Sequence, residues 1–280
     1  MTAKWKRDIK VTAGPLIIEP RTAEGEDQPV LKMRFDITKT NNREANKAEL
    51  VIWNLKETSR TKLQERDLEV IIEAGYVDSI EQIFRGDTQR TVIAKEAVDW
   101  VVSIELGDGT KELKSKRINE SFRGPQKPGQ ILKKAAEALG LDIGNLEDQI
   151  KKDGSRSVLK ELISGYVMSG KASDVMDEIA SSMGLNYSVQ DKKLQVLPKG
   201  GWLPNPSIKL SAETGLIGSP QIGEKGGVTA ASLLDPRMVP GQLVRVESEV
   251  IKGTFVVQKA HHVGDTWGNE WTTEMELNPT

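Results

Sequence analysis

The opening and closing parts of this sequence spell one strand pattern twice, and few folds accommodate that. Asp99-Trp100-Val101-Val102-Ser103-Ile104-Glu105-Leu106 lines up with Glu270-Trp271-Thr272-Thr273-Glu274-Met275-Glu276-Leu277, with acid, Trp, Glu and Leu at the same spacing. Upstream, Ile83-Phe84-Arg85-Gly86 matches Val250-Ile251-Lys252-Gly253, and Leu68 to Glu73 matches Leu243 to Glu247. The offset is 167 residues at the glycines and 171 at the tryptophans, a difference that fits a longer loop over Gly264–Gly268. Any two amphipathic strands look alike, so one match decides little. Three matches in the same order favour a duplicated β unit.

Periodicity agrees. Leu31, Met33, Phe35 and Ile37 alternate with polar residues, as in a half-buried strand, and Val98 to Leu106 alternates the same way. Glu49–Trp53, Leu68–Ala74 and Ile80–Arg85 read as further strands, the last stopped by Gly86, and Gly107-Asp108-Gly109 reads as a turn. Leu55–Glu65 has room for one or two helical turns. From Thr110 to Lys134 the composition turns basic and rich in Pro and Gly, which reads as a linker. A helix follows through Ile131, Leu132, Ala135, Ala136 and Leu139 to a stop at Gly140. A second helix carries Val175, Met176, Ile179, Ala180 and Met183, with Ser173 as its expected cap. A hairpin turns at Asp191-Lys192. The expected fold is therefore mainly β with an α+β insertion: two similar small β-barrels flanking a helix-rich module. The expected domains are a first barrel over 1–110, a linker and α+β module over 111–205, and a second barrel over 206–280.

Composition narrows the chemistry. Among 280 residues, Lys plus Arg is 39 and Asp plus Glu is 41, a net charge of −2, so no bulk basic excess marks a dedicated nucleic-acid binder. There is no cysteine, which removes disulfides, thiolate metal sites and thiol nucleophiles. The only histidines, His261 and His262, are adjacent, and neighbouring strand residues face opposite ways, so they cannot share one metal ion without a bulge. One of them bonding to the Gly264-Asp265-Thr266 turn is the simpler expectation. No apolar stretch nears the ~20 residues that span a bilayer, and Met1–Lys10 does not read as a signal peptide.

Three patterns invite sharper readings. Gly165 to Ala172 falls one residue short of a phosphate-binding loop, because Ala172 stands where a magnesium-binding hydroxyl is needed, and Val158–Ile163 before it reads as helix turn or strand alike. Glu105, Glu274 and Glu276 alternate with core positions, as solvated strand faces do, rather than forming a hydrolytic pair. Of six tryptophans, at 5, 53, 100, 202, 267 and 271, the repeat-equivalent Trp100 and Trp271 are expected in the core and Trp267 at a loop tip is the candidate contact. The basic stretch around Arg117 is a solvated connector or, functionally, a positive surface near nucleic acid or an acidic partner. No cofactor or metal is expected.

Leu216-Ile217-Gly218-Ser219-Pro220, Gly227-Val228, Leu233-Leu234-Asp235-Pro236, Pro240-Gly241 and His262-Val263-Gly264-Asp265-Thr266 resemble the C-terminal barrel of tail and baseplate hub proteins of tailed bacteriophages. Phe84-Arg85-Gly86-Asp87 leading to Ile104–Gly109 resembles the first barrel of that family, to which the hub portion of the type VI secretion spike is distantly related. The resemblance implies a non-enzymatic structural protein of the virion, assembled in the host cytoplasm. It would be a trimeric baseplate hub of a contractile tail, presenting six similar barrels between a six-fold tube and a three-fold spike. Its implied partners are two further copies of itself, tube protein, spike and tape-measure protein, with DNA passing through the lumen without sequence-specific binding. His262 and Asp265 would then support a structural turn, with Trp267 and Arg117 as candidate contacts. The alternatives are a peptidoglycan hydrolase using an acid with His262, and a carbohydrate-binding tail-tip module using Trp267 and Trp202.

Overall fold

The computed structural model describes residues 6–20, 31–65, 67–77, 79–109, 116–146, 163–182, 184–223 and 226–280. Trp5, Lys111, Lys114, Met183 and residues 158–162 lie outside the described residues.

The chain is mainly β. In order, the strands are β1 (Arg7–Ala13), β2 (Leu16–Ile18), β3 (Met33–Thr40), β4 (Asn46–Trp53), β5 (Glu69–Tyr76), β6 (Ser79–Glu96), β7 (Asp99–Asp108), β8 (Arg117–Gln126) and β9 (Ile163–Lys171). Then come β10 (Leu185–Gln190), β11 (Lys193–Pro198), β12 (Ile208–Ser211), β13 (Leu216–Ile222), β14 (Val228–Leu233), β15 (Leu243–Glu247), β16 (Lys252–Asp265) and β17 (Trp271–Pro279). Among the described residues, three α-helices are α1 (Glu57–Lys62), α2 (Pro128–Leu139) and α3 (Ala172–Ser182), and Ala212–Thr214 forms a short 3-10 turn. They fall into two compact units, one of Met1–Thr40, Lys47–Gly107 and Pro204–Thr280, the other of Asn41–Asn46 and Asp108–Leu203.

The first unit holds a 13-stranded sheet, and its strand order repeats. One stretch runs β3-β4-β7-β6-β5, the other β13-β14-β17-β16 with β15 beside β16. Every strand of the second stretch is the counterpart, ten strands later, of one in the first. The copies join where β16 pairs with β3, from Lys259 opposite Thr40 to Asp265 opposite Arg34. The sheet path ends at β13 and β2, and no closed barrel appears among the described residues.

Equivalence extends to single residues. In β6 the pairing with β7 shifts between Thr88 and Arg90, so Gln89 is an extra residue. In β16 the pairing with β17 shifts between Val257 and Lys259, so Gln258 is extra. Each bulge reverses which alternate residues face inward: Phe255 and Val257 before Gln258, Ala260 and His262 after it. The residue after each bulge sits opposite a glutamate and pairs with it, Arg90 with Glu105 at 3.6 Å and Lys259 with Glu276 at 3.0 Å. The hairpin turn that follows is Ala97–Val98 in the first copy and Thr266–Asn269 in the second. Sequence offsets assign four extra residues to that turn; only two are there.

Each copy has its own apolar core. The first gathers Met33, Phe35, Ile37, Leu50, Ile52, Val70, Ile72, Val102 and Ile104, and takes in Leu234 and Trp271 from the second copy. The second gathers Val228, Val244, Val246, Val257, Ala260, Met275 and Leu277. Each fully buried large aliphatic or Phe side chain contributes about 1.5–3 kcal/mol, which is why alternation fixes strand facing here.

In the second unit α2 and α3 lie on the inner face of the β8–β9 ribbon. Ile118 and Met168 pack with Ile131, Leu132, Ala135 and Leu139 of α2 and with Val175, Met176 and Ile179 of α3. Pro128 opens α2 and Gly140, at φ 77°, ends it. The β10–β11 hairpin turns through Asp191 and Lys192, both at positive φ (56° and 62°). Asp108 is fully buried and accepts the amides of both, at 2.6 and 2.7 Å. Asn46 donates to Val189 O and Gln190 Oε1.

Several local expectations need correcting. Gly86 does not stop a strand: it lies within β6, where a Cβ would stand 2.6 Å from Gly107 O on the neighbouring strand. The strand runs on through Gly107 to Asp108 before the chain bends at Gly109, at φ 72°, and Asp108 also caps the β10–β11 hairpin. Residues 117–126 of the expected linker form β8, because Ile118 and Phe122 supply an alternating apolar face. Ser173 lies inside the first turn of α3, which starts at Ala172, so it does not cap it. Gly165–Lys171 is extended strand, which leaves no loop to wrap a phosphate.

Candidate functional site

The turn between β16 and β17 is built from the inside outward. Gly264 faces Trp271 across the hairpin, and the rings of Phe35 and Trp271 close over it. A Cβ on Gly264 would meet Phe35 Cζ at 2.3 Å and Trp271 Cε3 at 2.8 Å, so this position excludes any side chain. The two rings meet edge to face, centroids 5.4 Å apart. Trp271 is 2% exposed, and its indole Nε1 donates to Gly75 O at 3.0 Å. A strand of the second copy is thereby anchored to β5 of the first.

Polar residues fix the turn itself. Asp265 Oδ1 accepts the amides of Trp267 and Gly268, both at 2.8 Å. Thr266 Oγ1 accepts the Met33 amide and donates to Leu31 O. The Arg7 guanidinium donates to the carbonyls of Asp265, Gly268 and Asn269 and lies 5.7 Å from the Trp271 ring centroid. This scaffold presents Trp267, 61% exposed, at the tip. The equivalent tip in the first copy presents Val98, 85% exposed.

These tips share one end of the sheet. Pairing of Gly264 with Phe35, of Met33 with Ile52, and of the Asn54 amide with Trp100 O carries that end across β16, β3, β4 and β7. Trp53 lies there under Lys32, whose Nζ is 4.2 Å from the ring centroid. Trp100 lies under the Arg60 guanidinium at 4.1 Å. At 38% exposed, Trp100 is not the core residue its equivalence with Trp271 suggests. It packs on α1, whereas Trp271 turns into the first core. Composition gives no sign of this rim; the repeat, by marking both hairpins, could have found it.

The two histidines face opposite ways, as strand geometry requires. Neither bonds to the turn. His261 Nε2 is 2.9 Å from Asp36 Oδ1. His262 is fully buried, with Nδ1 2.9 Å from Thr273 Oγ1, the hydroxyl that also accepts the Asp235 amide. Burial, helped by the Lys39 charge, pushes its imidazole down to about 3, offset only in part by Asp235 and the backbone of Met238. His262 is therefore a neutral structural residue in β16. Among the described residues no group of three acidic or histidine side chains could hold a metal. Arg117 lies far along the chain on β8, exposed, opposite Lys171.

No curated protein sequence matches the chain. Its fold is similar to a 43 kDa tail protein of prophage MuSo2 from Shewanella oneidensis, at TM-score 0.67 and 11% identity over 98% of both chains. A tail protein from Neisseria meningitidis MC58 gives 0.64 and 12%, covering 98% of this chain and 96% of that one. The E. coli c3393 protein, a type VI secretion component described as similar to phage T4 tail proteins gp27 and gp5, gives 0.60 and 8% over 97% and 77%. The sequence model for baseplate hub gp41 matches residues 21–263, and the chain belongs to that family of phage tail proteins.

Proposed function

We propose that this chain is the structural hub ring of a contractile phage tail, a homotrimer joining the tail tube to the central spike. The observation that carries this reading is the repeated strand order, β3-β4-β7-β6-β5 and β13-β14-β17-β16-β15. Two lobes with separate cores act as two barrel-like units per chain, so three chains offer six similar lobes to a six-fold tube and three subunits to a spike. Such symmetry matching is an interface property and needs no reaction.

Open sheet edges supply the means. β13 is an edge strand with Ile217 41% and Ile222 69% exposed, and β2 is the edge at the other end of the path. A head-to-tail contact between these edges closes a ring and removes the exposed edges. The tips bearing Val98 and Trp267 are equivalent contacts toward tube protein, on a turn shaped by Asp265. Spike and tape-measure protein complete the partners, DNA passes through the lumen without sequence-specific contacts, and the ring assembles in the host cytoplasm. The role we propose is non-enzymatic: His262, the histidine that the hydrolase alternative would use with an acid, is sealed from any polymer substrate.

Mass photometry and negative-stain imaging of the purified protein test this. The expected result is a trimer of 30.9 kDa chains with a central hole. A stable monomer that binds neither tube nor spike contradicts it.

A further inference from the structure

We propose that the exposed face of the β8–β9 ribbon binds the phosphate backbone of duplex DNA. Pairing places Arg117 directly opposite Lys171, and both side chains are exposed. Like charges so placed lie about 4.5–5.5 Å apart at Cβ and repel each other. Arg123 adds a third exposed cation further along β8. None of these three has an ion pair among the described residues. Glu120, the one acid in the two strands, pairs instead with Lys134 at 3.0 Å. In a chain of net charge −2 this is a concentrated positive element, and an anion at the Arg117–Lys171 corner relieves the repulsion.

The rest of the face decides between a nucleic acid and an acidic protein. Between the cations stand Asn119 opposite Ser169, and Ser121 opposite Val167. Asn and Ser side chains donate to phosphate oxygens as readily as they accept. Protein interfaces typically centre on apolar residues, and among the described side chains this face offers only Val167, 64% exposed. Phe122 and Tyr166 are half-buried with the inner-face core, so no ring is free to stack on a base. A two-stranded ribbon also fits the major groove of B-DNA. The site therefore reads charge and shape, not sequence. It rests on the hub reading only in that a tail hub meets DNA.

The test is fluorescence anisotropy with a labelled duplex of about 20 base pairs, titrated between about 50 and 200 mM salt. Wild type is compared with Arg117→Gln/Lys171→Gln, and with Lys199→Gln as a charge loss elsewhere in the same unit. The double variant should bind more weakly, and its slope of log affinity against log salt should be shallower by about two, roughly 0.9 per lost phosphate contact. Lys199→Gln should leave the slope unchanged. Absence of wild-type binding, an unchanged slope in the double variant, or polyglutamate competing as well as unlabelled duplex each overturns the proposal. Far-UV circular dichroism checks that the double variant is folded. Imaging keeps the two readings separate: a ring without DNA binding removes only this site, and a DNA-binding monomer removes only the hub.

Discussion

Gln89 and Gln258 occupy the same place in two copies of one five-stranded sheet. Each is the extra residue of a bulge in a long strand, each precedes a cation, and that cation pairs with a glutamate on the next strand. The bulge matters more than its side chain, because it reverses strand facing so that one strand can serve two packing surfaces.

Deleting Gln258 should therefore be ruinous. Residues 259–265 would invert, sending Ala260 and His262 to solvent and Lys259 and His261 inward. Soluble folded protein should be lost, as read by yield and circular dichroism. Gln258→Ala keeps the extra residue and should change stability by less than about 1 kcal/mol in urea unfolding.

Gly264→Ala should destabilise by about 1–3 kcal/mol, since the new methyl group meets two packed rings and neither has room to retreat. Trp271→Phe should cost about 1–3 kcal/mol by leaving the buried Gly75 carbonyl without its indole donor. Urea midpoints compare both with wild type.

Acid should weaken the first unit through His262. Its folded-state value lies near 3, below the ordinary 6.5, so between those values the unfolded chain binds a proton that the native chain does not. Stability from this group is complete above about pH 6.5 and falls toward pH 3, by at most about 1.4 kcal/mol per pH unit. His262→Gln should flatten that part of the profile. An identical slope in the variant would contradict the assignment.

Asp108→Ala should loosen the β10–β11 hairpin by about 2–4 kcal/mol, because it removes two charge-assisted bonds to the turn amides of Asp191 and Lys192. Hydrogen exchange of those two amides should rise sharply.

Trp267→Ala and Val98→Asp change exposed tips, so each should alter stability by less than about 0.5 kcal/mol. Both should impair attachment of purified hub to tube protein in a pull-down. Normal attachment by both would remove the tips from the interface.

Much of the β architecture was legible because alternation at Met33–Ile37 and Val102–Leu106 ties strand facing to burial, and because three matched blocks revealed the duplication. What the sequence concealed were decisions made between distant strands. Gly86 reads as a stop until Gly107 is seen to press against it. Trp100 and Trp271 read as equals until one turns into the first core and the other lies under Arg60. β8 reads as a linker because its outer face is basic and interrupted by Gly124 and Pro125, and only α2 and α3 reveal its apolar side. Among the candidate contacts, Trp267 could be placed from its turn residues, whereas the pairing of Arg117 with Lys171 depends on a strand partner 54 positions away, which local pattern does not encode.

Cryo-electron microscopy of the purified protein with three-fold averaging tests the central claim most directly. The duplication predicts a ring of three chains in which the β3–β7 and β13–β17 lobes alternate around one axis as six similar densities. A ring in which one lobe type lines the axis and the other lies elsewhere, or particles that remain single chains, would contradict it.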